Sequence, residues 1–241
     1  MQKRVPITGD STLCSTCMLG HVCLPVGMPA EDIDKLSTLV RERVRVEKGR
    51  TLYTLGDELD AVYGVRSGSI KTQIERAEGQ LQITGFHLPG ELVGMDGMLE
   101  GNHMSTAVAL EDTEMCVIRL ADLDRIASHV PALQPQFRRF MSKEIIRSQH
   151  MLLTVGSLRS EQRLAAFLLN LSQRLAMLGY SANEFVLRMS REDLGNYLGL
   201  TLETVSRLFS RFAREEMIRI NQREVEILDM PRLKKLIGQD S

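Results

Sequence analysis

The chain has 241 residues, 43% of them hydrophobic and 25% charged, with a formal net charge of −1 at pH 7. That composition suits one large or two modest domains with a proper core and excludes global disorder. The near-zero charge excludes a nucleic-acid affinity spread over the whole surface, so any such affinity must come from a local basic face. No run of about 18 apolar residues occurs, so no membrane span is expected. The opening MQKRVPITGDST lacks the apolar stretch of a secretory signal. A cytoplasmic location is the resulting expectation, and thiols stay reduced there.

The first informative stretch is CSTCMLGHVC, which puts Cys14, Cys17 and Cys23 inside ten residues; the fourth cysteine, Cys116, is far downstream. In a reducing compartment, clustered cysteines bind metal or do redox chemistry more often than they form disulfides. Four thiolates are the usual set for an iron–sulfur cluster, and the same four suit structural zinc. Spacing alone leaves the two open. Gly20 allows the loop to wrap one cage, and His21 reads as a solvent-facing loop residue. Cys116 would tie that loop to the next domain.

Residues 43–120 read as short strands: VRVEKGRTLY, AVYGVRSGSIKTQIE, QLQITGFHLPGE and EMCVIRL. Turn pairs such as Lys48-Gly49, Gly56-Asp57, Ser67-Gly68, Glu78-Gly79 and Pro89-Gly90 punctuate them, which predicts an antiparallel barrel or sandwich. ADLDRIASHVP predicts a short helix stopped before Pro131. The helix that follows runs to about residue 156. Met141, Ile145, Ser148, Leu152 and Val155 recur in steps of 4, 3, 4 and 3, the period of a helix packed lengthwise on another. The same helix could pack on its own barrel. Leu133, Phe137, Phe140, Ile146, Met151 and Leu153 can supply a separate barrel-facing side, which favours a two-chain seam through the first set. SEQRLAAFLLNLSQRLAML predicts a further helix, with Ser160 as its N-cap and Gly179 after its end.

MSREDLGNYLGLTLETVSRLFSRFAREEM carries the second signal. Ser190 and Asp193 resemble a capping box, Gly199 closes a short helix, and Thr201 caps the next one. Two helices joined by a glycine turn make a helix-turn-helix at about residues 190–215. Its second helix presents Thr201, Glu203, Thr204, Ser206 and Arg207 to base edges, with Arg211 further along toward phosphate. Glutamate accepts from cytosine N4, and arginine donates to guanine O6 and N7. MIRINQREVEIL then predicts a hairpin wing turning at Asn221-Gln222.

Taken together, these stretches resemble the CRP/FNR superfamily of bacterial transcription regulators, and within it the oxygen-sensing fumarate and nitrate reduction (FNR) branch. The motifs are C-x2-C-x5-C at 14–23, RSGSIK at 66–71, QITGFHLPGELVG at 82–94, Cys116, RLAAFLLNLS at 163–172 and GNYLGLTLETVSRL at 195–208. The resemblance implies an α+β chain in four parts. Residues 1–29 would bind an iron–sulfur cluster, and 30–120 would form a cyclic-nucleotide-binding-like barrel (double-stranded β-helix). Residues 121–156 would form the dimerisation helix, and 157–241 a winged helix-turn-helix.

It also implies a [4Fe–4S] cluster on Cys14, Cys17, Cys23 and Cys116, and a homodimer that binds a palindromic DNA site with TTGAT-type half-sites. Oxygen would convert the cluster and release the DNA. Glu203, Ser206 and Arg207 would read bases. Ser67 and the turn at Gly79 would lie on surfaces that touch RNA polymerase. Cyclic-nucleotide barrels pair the ligand's phosphate with a basic residue soon after a G-E-L motif. Here no Arg or Lys lies between Arg76 and Arg119, so no cyclic nucleotide is expected. A zinc-structured or thiol-redox regulator is the competing reading. A thiol redox enzyme built on Cys14 and Cys17 lacks the βαβ context that chemistry requires.

Overall fold

A computed structural model describes residues 4–6, 14–37, 40, 42–75, 79, 81–127 and 130–239. The chain divides into two compact units, residues 1–144 and 145–241.

The first unit opens with β1 (Arg4–Pro6) and α1 (Ala30–Ser37). The strands β2 (Glu42–Val46), β3 (Thr51–Tyr53), β4 (Ala61–Ser67), β5 (Ile70–Glu75), β6 (Leu81–His87), β7 (Leu92–Val93), β8 (Thr106–Ala109) and β9 (Thr113–Arg119) follow. They form two antiparallel sheets, ordered β1-β2-β9-β4-β7 and β3-β8-β5-β6, which is the expected β architecture. Alternation builds the space between the sheets. Val44 and Val46 from β2, Met115 and Val117 from β9, and Tyr63 and Val65 from β4 point inward and pack with Ile70, Ala107 and Ala109. Gly68 turns β4 into β5 at φ +83, and a side chain there would collide with Thr113.

The opposite face of β9 and β4 is also covered. Val62 and Ile118 join Leu24, Met28, Leu36 and Val40 from the N-terminal segment, and Leu123, Val130, Leu133 and Phe140 from the helices after β9. Residues 61–65 of β4 are therefore all buried, unlike a one-sided antiparallel strand. Those helices are α2 (Leu120–Ala127) and α3 (Leu133–Ser157).

The second unit holds α4 (Ser160–Met177), β10 (Glu184–Val186), α5 (Arg191–Leu198), α6 (Leu202–Arg214), β11 (Ile218–Asn221), β12 (Glu224–Ile227) and α7 (Met230–Leu236). The expected helix-turn-helix and wing are present, and the wing hairpin gains β10 as a third strand. One local expectation fails. Ser160 is the first residue inside α4; the N-cap is Arg159, whose N–H donates to Gln162 Oε1 at 2.9 Å. The Gln162 side chain thus satisfies the N–H of the N-cap residue itself, while the first-turn N–H groups that a serine hydroxyl was expected to cap receive no side-chain cap.

Candidate cysteine site and nucleic-acid interface

The cysteine segment is a chain of tight turns. A short 3-10 turn spans Cys14–Thr16. Gly20 N–H donates to Cys17 O at 3.0 Å and Cys23 N–H to Leu19 O at 2.8 Å. The segment is pinned at both ends. Cys14 N–H donates to Ser37 Oγ at 3.1 Å, and Ser37 Oγ donates to Ile33 O at 3.0 Å. Val22 sits where a Cβ on Gly90 would be, so Gly90 lets the loop approach the β6–β7 turn. Cys14, Cys23 and Cys116 all pack against the core formed by Leu24, Val62, Leu92 and Ile118. His21 is exposed.

The four thiols are free and half-buried. Burial, then the neighbouring Cys116 and Cys17, pushes the Cys14 thiol up to about 11. Burial, with Cys116, Cys14 and Cys17 adding, pushes Cys23 up to about 12. Cys116 is also raised, by burial first, while Arg43 pulls it down and Cys17 pushes it up. Each sulfur thus lies within the field of the others. Thiolates there need positive charge close by, as a metal centre supplies. Among the described residues no group of three or more His, Cys, Asp or Glu is set to hold a single metal ion. The donor set is four soft sulfurs, which fits an iron–sulfur cluster and suits zinc as well.

Three charged residues beside Cys116 were missed from sequence. Arg43 and Gly64 are its register partners on the two neighbouring strands. Glu114 accepts from Arg43 Nη1 at 3.2 Å and from Arg66 Nη1 at 2.8 Å. Partial burial raises Glu114, but Arg66 and Arg43 hold it below the usual carboxylate range. The alternation in ERVRV was the available signal, since it puts Arg43 and Arg45 on the face opposite Val44 and Val46.

In the barrel segment after Gly90-Glu91-Leu92, His103 is buried and stacks on Tyr53 with ring centroids 3.5 Å apart. Ser105 Oγ donates to Asp96 Oδ2 at 2.6 Å. Ser67 is exposed at the end of β4 and Gly79 is exposed at φ +75; Glu78 and Gln80 lie outside the described residues.

The helix-turn-helix forms as its caps predict. Ser190 Oγ accepts from Asp193 N–H at 2.9 Å, and Ser190 N–H donates to Asp193 Oδ2 at 2.9 Å. Gly199 is left-handed at φ 65, and a Cβ on Gly195 would lie 2.7 Å from Leu200 O. Leu194, Leu198, Val205, Leu208, Phe209 and Phe212 are buried, and Leu200 in the turn is half-buried. Glu203, Ser206 and Arg207 are exposed on the outer face of α6. Thr201 Oγ1 accepts from Thr204 N–H at 3.2 Å, and the two hydroxyls are 3.0 Å apart, so both work first as a cap. Glu203 is held below the usual carboxylate range by its own backbone N–H, then by Thr201 and the Arg207 charge.

Arg211 is not a free cation: it pairs with Glu161 at 2.6 Å and Glu215 at 2.7 Å. Arg191, missed from sequence, lies 3.3 Å over the Phe209 ring, and burial lowers its pKa to about 10. It lines a groove of about 540 Å³ between the start of α5 and the wing, with Ser190, Gln222 and Arg223. Its place directly after the N-cap was the signal. On α3, Met141, Ile145, Ser148 and Leu152 are exposed. Val155 is half-buried, with Cγ1 3.4 Å from where a Cβ on Gly199 would be. Ile146 and Leu153 are exposed as well, and the buried residues of α3 are Leu133 and Phe140.

The Crp-like helix-turn-helix domain family matches residues 162–236, and the cyclic nucleotide-binding domain family matches residues 43–129. The transcriptional regulatory protein Btr of Bordetella pertussis is 71% identical over 241 residues, covering 100% of both chains. The fumarate and nitrate reduction regulatory protein of Escherichia coli is 40% identical over 236 residues, 98% of this chain and 94% of that one. Among solved structures, FixK2 of Bradyrhizobium japonicum has a TM-score of 0.74 at 28% identity, covering 83% of this chain and 96% of that chain. With the DNA-binding module in place and relatives that are transcription regulators rather than enzymes, the chain is a transcription regulator of the CRP/FNR family.

Proposed function

We propose that the protein is an oxygen-responsive regulator whose cluster-bearing form is the DNA-binding dimer. The carrying observation is a shared core. Leu24 and Met28, flanking the cysteine turns, pack in one cluster with Ile118 beside Cys116 and with Leu133 and Phe140 at the start of α3. Whatever holds the four thiols together therefore braces the first turns of the long helix. Cys14, Cys17, Cys23 and Cys116 would hold a [4Fe–4S] cluster, which when bound supplies an oxygen-labile iron centre. Release of the thiols would loosen Leu24 and Met28 and, through them, the base of the Met141–Ile145–Ser148–Leu152 seam. Val155 serves its own unit before any partner.

Glu203, Ser206 and Arg207 would read bases of a palindromic, TTGAT-type site. Thr201 and Thr204 would shape the start of the reading helix. Ser67 and Gly79 are the proposed contacts to RNA polymerase. The barrel acts as scaffold rather than cyclic-nucleotide receptor; the Tyr53–His103 stack and the lack of Arg or Lys between Leu92 and Arg119 support this. Action in the cytoplasm fits reduced thiols and DNA as partner. Among the described residues no helix is long and apolar enough to cross a membrane.

The test is the iron, sulfide and zinc content of anaerobically purified protein, with the visible spectrum followed as air enters. Near-equal iron and sulfide, with a band that changes in air, is the expected result. Zinc, or no metal and a flat spectrum, would overturn the oxygen-sensing reading and leave a zinc-structured or thiol-redox regulator.

A further inference from the structure

The wall of the cysteine site opposite the loop is a row of paired strand residues. Arg43 on β2 and Gly64 on β4 flank Cys116 on β9. Directly paired side chains leave the same face of a sheet about 4.5–5.5 Å apart at Cβ. Arg43 and Cys116 are therefore neighbours on the face that carries the cysteine segment. The Arg43 side chain is only 16% exposed, and its Nη1 is taken by Glu114. Its Nε is fully buried, and among the described residues it meets no acceptor. A buried donor in that state marks a missing acceptor, and a thiolate or cluster sulfur beside Cys116 is an acceptor of the right kind. Charge points the same way. Two guanidinium groups, Arg43 and Arg66, share one carboxylate, Glu114, so one positive charge beside Cys116 stays uncompensated within the network. Four thiolates around an iron–sulfur core carry negative charge in a half-buried place, and that charge needs a local counter-ion.

We propose that Arg43 is the counter-cation of the cysteine site and that its Nε–H is the donor to the sulfur of Cys116 when that site is loaded. Arg43 is then a positioning residue, not a ligand. The proposal rests on the cluster-binding reading above.

The test uses full-length protein reconstituted anaerobically with iron and sulfide. Iron retention against a ferrous chelator and the sulfur-to-iron charge-transfer band are followed in wild type, Arg43→Gln, Arg43→Lys and Arg45→Gln. Arg45 is an exposed cation on the same face of β2, opposite Glu114 in strand register. Arg43→Gln should lose iron about tenfold faster or more, with a shifted band, because outer-shell donors are worth about 10–100-fold in metal affinity. Arg43→Lys keeps the charge without the guanidinium fork and should fall between. Arg45→Gln should match wild type. If wild type loads but Arg43→Gln and Arg43→Lys keep both its iron and its spectrum, the counter-cation role is overturned. Equal losses in Arg43→Gln and Arg45→Gln would overturn it too, since the effect would then be general surface charge. If wild type takes up no iron or sulfide, the cluster-binding reading itself fails. Should Arg43→Gln not fold, the comparison of Arg43→Lys with Arg45→Gln decides alone.

Discussion

The guanidinium carbon of Arg191 lies 3.3 Å from the centre of the Phe209 ring, so the first residue of α5 is seated on the middle of α6. Partly desolvated cation–π contacts contribute about 0.5–2 kcal/mol. The same side chain borders the groove between α5 and the wing. Arg191→Ala should lower the unfolding free energy of the full chain by about that amount, read from urea titration. Bordering that groove at the start of α5, Arg191 is expected to meet phosphate rather than a base edge, so the variant should also weaken binding to all DNA sequences alike, with the salt slope reduced by about 1. A loss confined to one base step would contradict this placement.

Arg207 and Arg211 sit four residues apart on one helix, yet they should behave differently. Arg207 is exposed, and its Nη2 donates to Thr204 Oγ1 at 3.4 Å. Arg207→Ala should cost about 1–3 kcal/mol at one base step and relax specificity there. Arg211 is engaged by Glu161 and Glu215, so Arg211→Ala should leave base preference unchanged. A competition assay over single-base variants of one half-site separates the two.

The exposed seam on α3 makes a further distinction. Ile145 is 57% exposed, so Ile145→Glu should leave the monomer folded and abolish self-association of the loaded protein in sedimentation. Val155 packs beside Gly199, so Val155→Ala should cost stability, by about 0.5–1.5 kcal/mol, rather than association. A dimer persisting in Ile145→Glu would place the seam elsewhere.

Alkaline pH should destabilise the metal-free protein. Burial raises Cys14 to about 11 and Cys23 to about 12, from an ordinary 9.0. The folded state therefore holds these protons more tightly than the unfolded chain. The stability this adds is complete below pH 9 and is lost as pH climbs toward 11 and 12. Under reducing conditions, melting temperatures of wild type should fall more steeply above pH 9 than those of Cys23→Ala. Parallel curves would show that Cys23 is not the group involved.

Much of this was readable from residue patterns, for reasons that differ by element. The helix-turn-helix announced itself through local chemistry: Ser190 with Asp193, Gly199, and Thr201 each act within a few residues. Strands β4 and β9 were legible because large apolar residues fill them. Strands β1 and β8 were not: Arg4–Pro6 and TAVA are short, and only their partners make them strands. Helix α7 was overlooked although Asp229 caps it and Pro231 sits in its first turn. Arg43, Arg66 and Glu114 were invisible as a group because β9 brings them together across 71 and 48 residues of chain.

Strand β9 serves two cores at once: Met115 and Val117 fill the space between the sheets, while Cys116 and Ile118 face the N-terminal segment. The fourth sulfur is thus assigned by counting, odd residues to one core and even to the other. Inserting a single residue between Thr113 and Cys116 would leave composition, charge and cysteine count almost untouched. It would nonetheless turn the sulfur into the sandwich interior and a bulky apolar side chain onto the cysteine loop. The parity of one strand is as much a part of this site as its four thiols.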